Sequence, residues 1–185
     1  MRRVAIYGGS FDPPHVCHVL VATYVLCRGN VDEVRIVPVY THAFGKTLSP
    51  FSVRCQMLEA ALQHLGPQVT IDPIEEELGG TNYTIDTVGA LLAKEPDIKL
   101  TFVCGTDLFE DRFRWKEWDK LRELMDFLVI GRGADPEPST DRLPVRLPDV
   151  SSTAVRQTVA EGGSIAHLVS QGVENIIREQ GLYLS

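Results

Sequence analysis

Two histidines three residues apart, His15 and His18, follow a glycine pair, Gly8-Gly9, and a proline pair, Pro13-Pro14, in the stretch Val4 to Leu20. Glycines let a ligand approach the backbone closely, and prolines stiffen a loop and delay the helix behind it. A strand that runs into a glycine turn and then a helix mouth gathers backbone N–H groups around an anion, and imidazoles at i and i+3 can face the same phosphate. The stretch is neither of the two common phosphate loops, having no G-x-G-x-x-G and no G-x-x-x-x-G-K-[ST]. From spacing alone, the histidine pair reads equally well as a surface pair or half a metal site. Zn²⁺ on His15, Cys17 and His18 is the metal alternative, but that spacing is too tight for the usual finger patterns and no fourth ligand is evident.

Other residues along the chain have chemistry to offer. Ser151-Ser152-Thr153 precede a helical run with Arg156 one turn in, a pattern that caps a helix or, with the arginine, makes a second anion site. Lys46 sits beside Gly45 in the loop from Tyr40, with His42 nearby; a loop lysine is most simply a solvated charge. Gly105-Thr106-Asp107 ends an apolar strand, where open α/β sheets bind ligands and a carboxylate can accept ribose hydroxyls. Tyr83-Thr84-Ile85-Asp86-Thr87 opens a helix, with Thr84 and Asp86 as plausible caps.

The elements that must position these groups follow from periodicity. Residues 4–7 read as a strand and 16–28 as a helix, with either Leu20, Tyr24 and Cys27 or Val19, Ala22 and Leu26 turned inward; Gly29-Asn30 ends it, and 33–39 is a second strand. Strand, helix and strand in so short a span make a βαβ unit and a parallel sheet. A helix opens at residues 49–52 and runs to about 65, burying Met57, Leu58, Ala61 and Leu62; a short strand covers 69–71, and Glu75-Glu76-Glu77 read as an exposed acidic edge. A helix from 84 to about 93, strands at 99–104, 127–130 and 145–147, and helices near 153–161 and 173–180 complete the pattern, with Tyr183 and Leu184 tied back to the body. Residues 134–144, with three prolines, read as a mobile loop.

The chain of 185 residues has 44% apolar and 23% charged residues and a net charge of −7, values of an ordinary globular domain and a poor match for a nucleic-acid coat. No apolar run approaches the ~18 residues of a membrane span, and the start lacks a signal-peptide pattern. The four cysteines, Cys17, Cys27, Cys55 and Cys104, show no C-x-x-C spacing and read as reduced intracellular thiols. These features suggest one domain over residues 1–185 and a cytoplasmic location.

Gly8 to His18 match G-G-[ST]-F-[DN]-P-x-H-x-G-H with one departure, Cys17 for glycine, and Val150 to Arg156 match I-S-S-T-x-x-R with only Val150 for isoleucine. On these two motifs the chain resembles the nicotinate mononucleotide adenylyltransferases of the nucleotidyltransferase superfamily. The resemblance implies an α/β, Rossmann-like nucleotidyltransferase fold with a central parallel sheet and helices on both faces. It implies transfer of an adenylyl group from ATP to nicotinate mononucleotide in NAD biosynthesis, with Mg²⁺ accompanying ATP and no metal held by the protein alone. The residues it would assign to catalysis are His15, His18, Lys46 and Arg156. ATP would fall to Gly8, Ser10, His18, Gly105, Asp107, Ser152, Thr153 and Arg156. The acceptor would fall to Gly9, Ser10, Phe11, Lys46, Tyr83, Thr84 and Trp115, the last by stacking on the pyridine ring, while Trp118 reads as packing. Arg54 resembles a family arginine and reads equally as structural.

The implied partners are small molecules, with neither nucleic acid nor membrane, and a homo-oligomer is left open. Nicotinamide mononucleotide, phosphopantetheine or flavin mononucleotide as acceptor are the alternatives within the superfamily. A nucleotide-binding protein with weakened turnover is the alternative outside it. Cys17 is expected to crowd the phosphate at some cost in rate.

Overall fold

Apolar side chains alternate along the strands, and each strand sends one set to either face of a single sheet. The computed structural model describes residues 1–42, 45–132 and 142–184, with only the backbone of Asp107, Arg132 and residues 142–146. Its six strands are β1 (Arg2–Gly9), β2 (Glu33–Pro38), β3 (Val69–Ile71), β4 (Ile98–Gly105), β5 (Met125–Arg132) and β6 (Arg142–Leu147). They lie in the order β3-β2-β1-β4-β5-β6, and all neighbours are parallel. Among the described residues the eight α-helices are α1 (Val16–Arg28), α2 (Phe51–Leu62), α3 (Ile74–Leu78), α4 (Thr84–Lys94), α5 (Thr106–Glu110), α6 (Trp118–Leu124), α7 (Ser152–Ala160) and α8 (Gln171–Glu179).

Two buried clusters flank the sheet. Ala5 and Tyr7 of β1 face α1, α2, α7 and α8 through Val21, Met57, Val155 and Val173. Val4 and Ile6 face α3, α4 and α6 through Ile74, Val88 and Leu121. This is the expected α/β architecture with helices on both faces. Among the described residues no helix is long and apolar enough to cross a membrane.

β1 and β4 lie side by side at the centre, with β2 and β5 on their outer flanks, so the chain order reverses between them. The crevice outside the carboxyl ends of two such strands is where open α/β sheets take ligands. Gly8 and Gly9 end one of these strands and Gly105 the other.

Several expectations need correction. The buried face of α1 is Cys17, Val21, Ala22 and Val25; Leu20 and Cys27 are exposed. The helix is apolar on nearly every side, so periodicity does not choose a face. Glu75 is buried in the first turn of α3, and only Glu76 and Glu77 form the acidic edge. Tyr183 is tied to the body, whereas Leu184 is 70% exposed. The final strand starts at Arg142 rather than at 145, and residues 134–141 of the expected loop lie outside the described residues, as do Ala43 and Phe44.

Candidate functional site

The loop between β1 and α1 is the part on which both motifs converge. Gly9 ends β1 opposite Pro38, and a Cβ added there would stand 3.0 Å from the Phe11 ring, so any larger residue would press that ring aside by a few tenths of an ångström. Phe11 takes a left-handed φ of 48°, costly for a bulky residue, and its buried ring packs edge-on against Tyr7 (centroids 5.6 Å) and His18 (4.9 Å). That side chain is a core wedge under the turn; any contact of Phe11 with a ligand falls to its backbone.

His15 caps α1. Its backbone N–H donates to His18 Nδ1 at 3.0 Å, and the two imidazoles lie 3.8 Å apart, tilted by 32°. A nitrogen that accepts a hydrogen bond carries no proton, so the neutral His18 ring is the Nε2–H tautomer. His15 is buried at 3% exposure and His18 is partly exposed, so His18 is the ring open to a ligand. The first helical amide, Val16 N–H, donates to Leu168 O at 2.8 Å, which removes one of the donors expected at this helix mouth.

Cys17 is buried, and its thiol donates to Pro148 O at 3.3 Å. It therefore ties α1 to the turn after β6. With its sulfur so placed, Cys17 does not join His15 and His18 as a zinc ligand. Among the described residues no three His, Cys, Asp or Glu side chains group closely enough to hold a metal ion.

The second motif clasps the same loop. Ser151 caps α7 by accepting from Ala154 N–H at 3.1 Å. The Ser152 hydroxyl donates to Pro13 O at 2.9 Å, and Arg156 donates from Nη1 to Asp12 O at 2.7 Å and from Nη2 to Thr153 Oγ1 at 3.2 Å. Ser152 thus spends its proton on the loop. Thr153, as an acceptor from Arg156, keeps its own O–H to donate outward from an exposed position.

Beside the loop opens a cavity of about 730 Å³ at the carboxyl ends of β1, β2 and β4. Gly8, Gly9 and Ser10 line it, as do Tyr83 and Thr84 at the start of α4, and Trp115. Trp115 stands edge-on to Phe102 at 5.3 Å, while Trp118 is absent from the lining and packs against Phe127 at 5.0 Å, the packing role expected of it. Asp86, as expected, caps α4 by accepting from Tyr83 N–H at 3.1 Å; Thr84 is the first helical residue rather than the cap.

Thr87, in the stretch assigned to the acceptor, lines this cavity as well, and so do polar residues that the sequence did not point to: Glu75, Asn82, Asp111, Arg114 and Lys116. Glu75 accepts from Tyr40 N–H at 3.1 Å and from the Thr87 hydroxyl at 3.2 Å, and burial pushes its carboxyl above the ordinary value. Lys116 pairs with Asp86 at 3.3 Å and lies 4.9 Å over the Tyr83 ring. The start of the α3 pattern at Ile74 was the available signal for Glu75, because a helix begun there turns only one side of an acidic triplet to water.

Lys46 is exposed and lines a second, more open cleft of about 400 Å³ with Ser49, Ser52 and Arg54. His42 borders both cavities, and burial, then the Lys46 charge, lower its pKa. Arg54, 1% exposed, donates to Ser49 O at 3.0 Å and to Ser10 O at 2.9 Å, which makes it a structural clamp of the loop. Gly105 caps α5, and Asp107 follows in that helix with its side chain outside the described atoms.

Residues 6–158 match the family described as cytidylyltransferase-like. The chain belongs to that family. Among relatives, a protein of Myxococcus xanthus (strain DK1622) named "Probable nicotinate-nucleotide adenylyltransferase" is 38% identical over 98% of this chain and 94% of its own length. A protein of the same name from Anaeromyxobacter dehalogenans (strain 2CP-1 / ATCC BAA-258) is 36% identical over 98% and 97%. The fold is that of the Plasmodium falciparum nicotinic acid mononucleotide adenylyltransferase complexed with NaAD, with a TM-score of 0.82 over 99% of this chain and 98% of that one at 21% identity. For this member of the cytidylyltransferase-like family, the matched span runs from β1 into α7 and includes both loop-clasping motifs.

Proposed function

We propose that this protein is an adenylyltransferase that joins ATP and nicotinate mononucleotide, releasing nicotinate adenine dinucleotide and pyrophosphate. The observation that carries the reading is the 730 Å³ cavity, which has an aromatic wall and opens beside the loop that both anion-binding motifs grip. The name borne by relatives 36–38% identical over nearly the whole chain supports the same substrate pair.

The acceptor's phosphate oxygen is already a nucleophile. It attacks the α-phosphorus of ATP, a new P–O bond forms, and the bond to the bridging oxygen breaks as pyrophosphate leaves. The protein's work is to bring two anions together and to meet charge on the phosphoryl oxygens, which is positioning and electrostatics. His18 donates from Nε2 to the α-phosphate, stacked on the buried His15. Arg156 and Lys46 face the β- and γ-phosphates, and Thr153 adds its hydroxyl. Ser152 holds the loop and contributes its backbone.

Gly8, Gly9, Ser10 and the Phe11 backbone receive phosphate at the turn, and Gly105 with Asp107 receives the ribose of ATP. Tyr83, Thr84 and Trp115 enclose the pyridine ring. Arg114 and Lys116, which share the lining with Glu75 and Asp111, are the cations this cavity offers an anionic nucleotide. ATP enters as its magnesium complex, the ion belonging to the substrate. On this reading the enzyme works in the cytoplasm, its cysteines as thiols.

Pyrophosphate release with ATP, Mg²⁺ and a panel of acceptors tests the reading. Release with nicotinate mononucleotide above nicotinamide mononucleotide, phosphopantetheine and flavin mononucleotide is the expected result. Release with another acceptor alone would replace the substrate assignment.

A further inference from the structure

We propose that Asp12 and Tyr183 form a positioning pair for adenylyl transfer: the tyrosine hydroxyl fixes the Asp12 carboxylate, and Asp12 fixes the loop joining the two anion-binding motifs. The proposal rests on the adenylyl-transfer reading and adds to it two residues that touch neither substrate.

Asp12 is 3% exposed and every acceptor it owns is used. Tyr183 O–H donates to Oδ1 at 2.5 Å, Ser49 N–H donates to Oδ2 at 3.1 Å, and Arg156 Nη1 donates to the Asp12 carbonyl at 2.7 Å. The carbonyls on either side are held too, Ser10 O by Arg54 at 2.9 Å and Pro13 O by Ser152 at 2.9 Å. Segments from the start of α2, the start of α7 and the residue Tyr183 therefore meet on a few consecutive loop residues. A buried carboxylate is tolerated only when its hydrogen bonds are supplied, so the loop adopts this shape only while Tyr183 and Ser49 are in place.

The tyrosine is suited to the task. Ser49 Oγ lies 3.3 Å from its hydroxyl, and burial together with donation to Asp12 pushes the phenol's pKa up, so it remains a donor across the working pH range. Tyr183 itself sits at a left-handed φ of 63°, a costly conformation for a residue other than glycine. The link to chemistry runs through Arg156, whose guanidinium is shared between Asp12 O and Thr153 Oγ1. If Asp12 shifts, Arg156 shifts with it relative to His18, and misplacement of a reacting group by about 1 Å can cost on the order of a hundredfold in rate.

Tyr183→Phe keeps the ring and removes only the hydroxyl, so its kinetics separate positioning from packing. At a temperature well below unfolding, the expected result is a kcat about tenfold lower with a raised KM for ATP and a KM for nicotinate mononucleotide within about twofold of the wild type. Asp12→Asn should lower kcat as well, and the double variant should be no slower than Asp12→Asn alone, because both act on one unit. If Asp12→Asn does not fold, Tyr183→Phe decides alone. Wild-type kcat and KM values in Tyr183→Phe, even with a lowered Tm, would overturn the proposal. A wild-type protein that releases no pyrophosphate from ATP with nicotinate mononucleotide overturns the adenylyl-transfer reading itself, and the inference with it, before any variant is compared.

Discussion

His18 is the side chain with the most specific placement at the site. Its Nδ1 accepts from the His15 N–H, which fixes the neutral ring as the Nε2–H tautomer beside the loop. Removing one such preorganised donor to a reacting oxyanion costs about 10²–10³ in kcat. His18→Ala is therefore expected to lose that much in kcat with folding intact, as read by pyrophosphate release and by circular dichroism; a loss below tenfold would remove His18 from the reaction. Cys17 has a different role, because its thiol is turned onto Pro148 O. Cys17→Gly should lower stability by about 1–2 kcal/mol through a helical glycine and a small cavity, and should leave kcat/KM within about threefold. A rise in kcat/KM well beyond that would show that the cysteine does obstruct a phosphate.

At the scale of elements, the cavity is a slot between the start of α4 and the segment that carries Trp115, joined at its mouth by Lys116 and Asp86. Stacking of a base on an aromatic side chain is worth about 1–3 kcal/mol, so Trp115→Ala should raise the KM for nicotinate mononucleotide about 10- to 100-fold and leave the KM for ATP near the wild type. Equal effects on both substrates would place Trp115 elsewhere in the cycle. α3 and α4 are joined through Glu75 and Thr87, and burial raises the Glu75 pKa above the ordinary 4.5. A carboxyl raised on folding holds its proton more tightly folded than unfolded. Its contribution to stability is full below the ordinary value and is lost as pH rises through the raised one. Urea unfolding of the wild type should therefore show this loss from about pH 4.5 upward, and Glu75→Gln should lack it; identical pH slopes would contradict the assignment.

Most of the elements were legible because each coincides with a strong local signal. α1 begins and ends where the proline pair and Gly29 place it, and Ser151 caps α7 as its hydroxyl predicts. What was not legible depends on tertiary partners. The inward face of α1 is chosen by the sheet it meets, since the helix is apolar nearly all round. Glu75 is buried only because α4 and Tyr40 supply donors, and Asp12 only because Tyr183 and Ser49 reach it from remote positions. No spacing rule encodes such meetings. The site residues taken from the two motifs fall on one loop and its neighbours, whereas Lys46 borders the adjoining cleft and Arg54 is buried as a clamp.

For the whole molecule, the bond of ATP that is broken decides the reaction class. ATP labelled on its α-phosphorus, incubated with Mg²⁺, nicotinate mononucleotide and the intact protein, gives the most direct test. Adenylyl transfer predicts that the label passes into nicotinate adenine dinucleotide, one label per unlabelled pyrophosphate released. Label retained in ATP, or released as AMP with no dinucleotide formed, would contradict it.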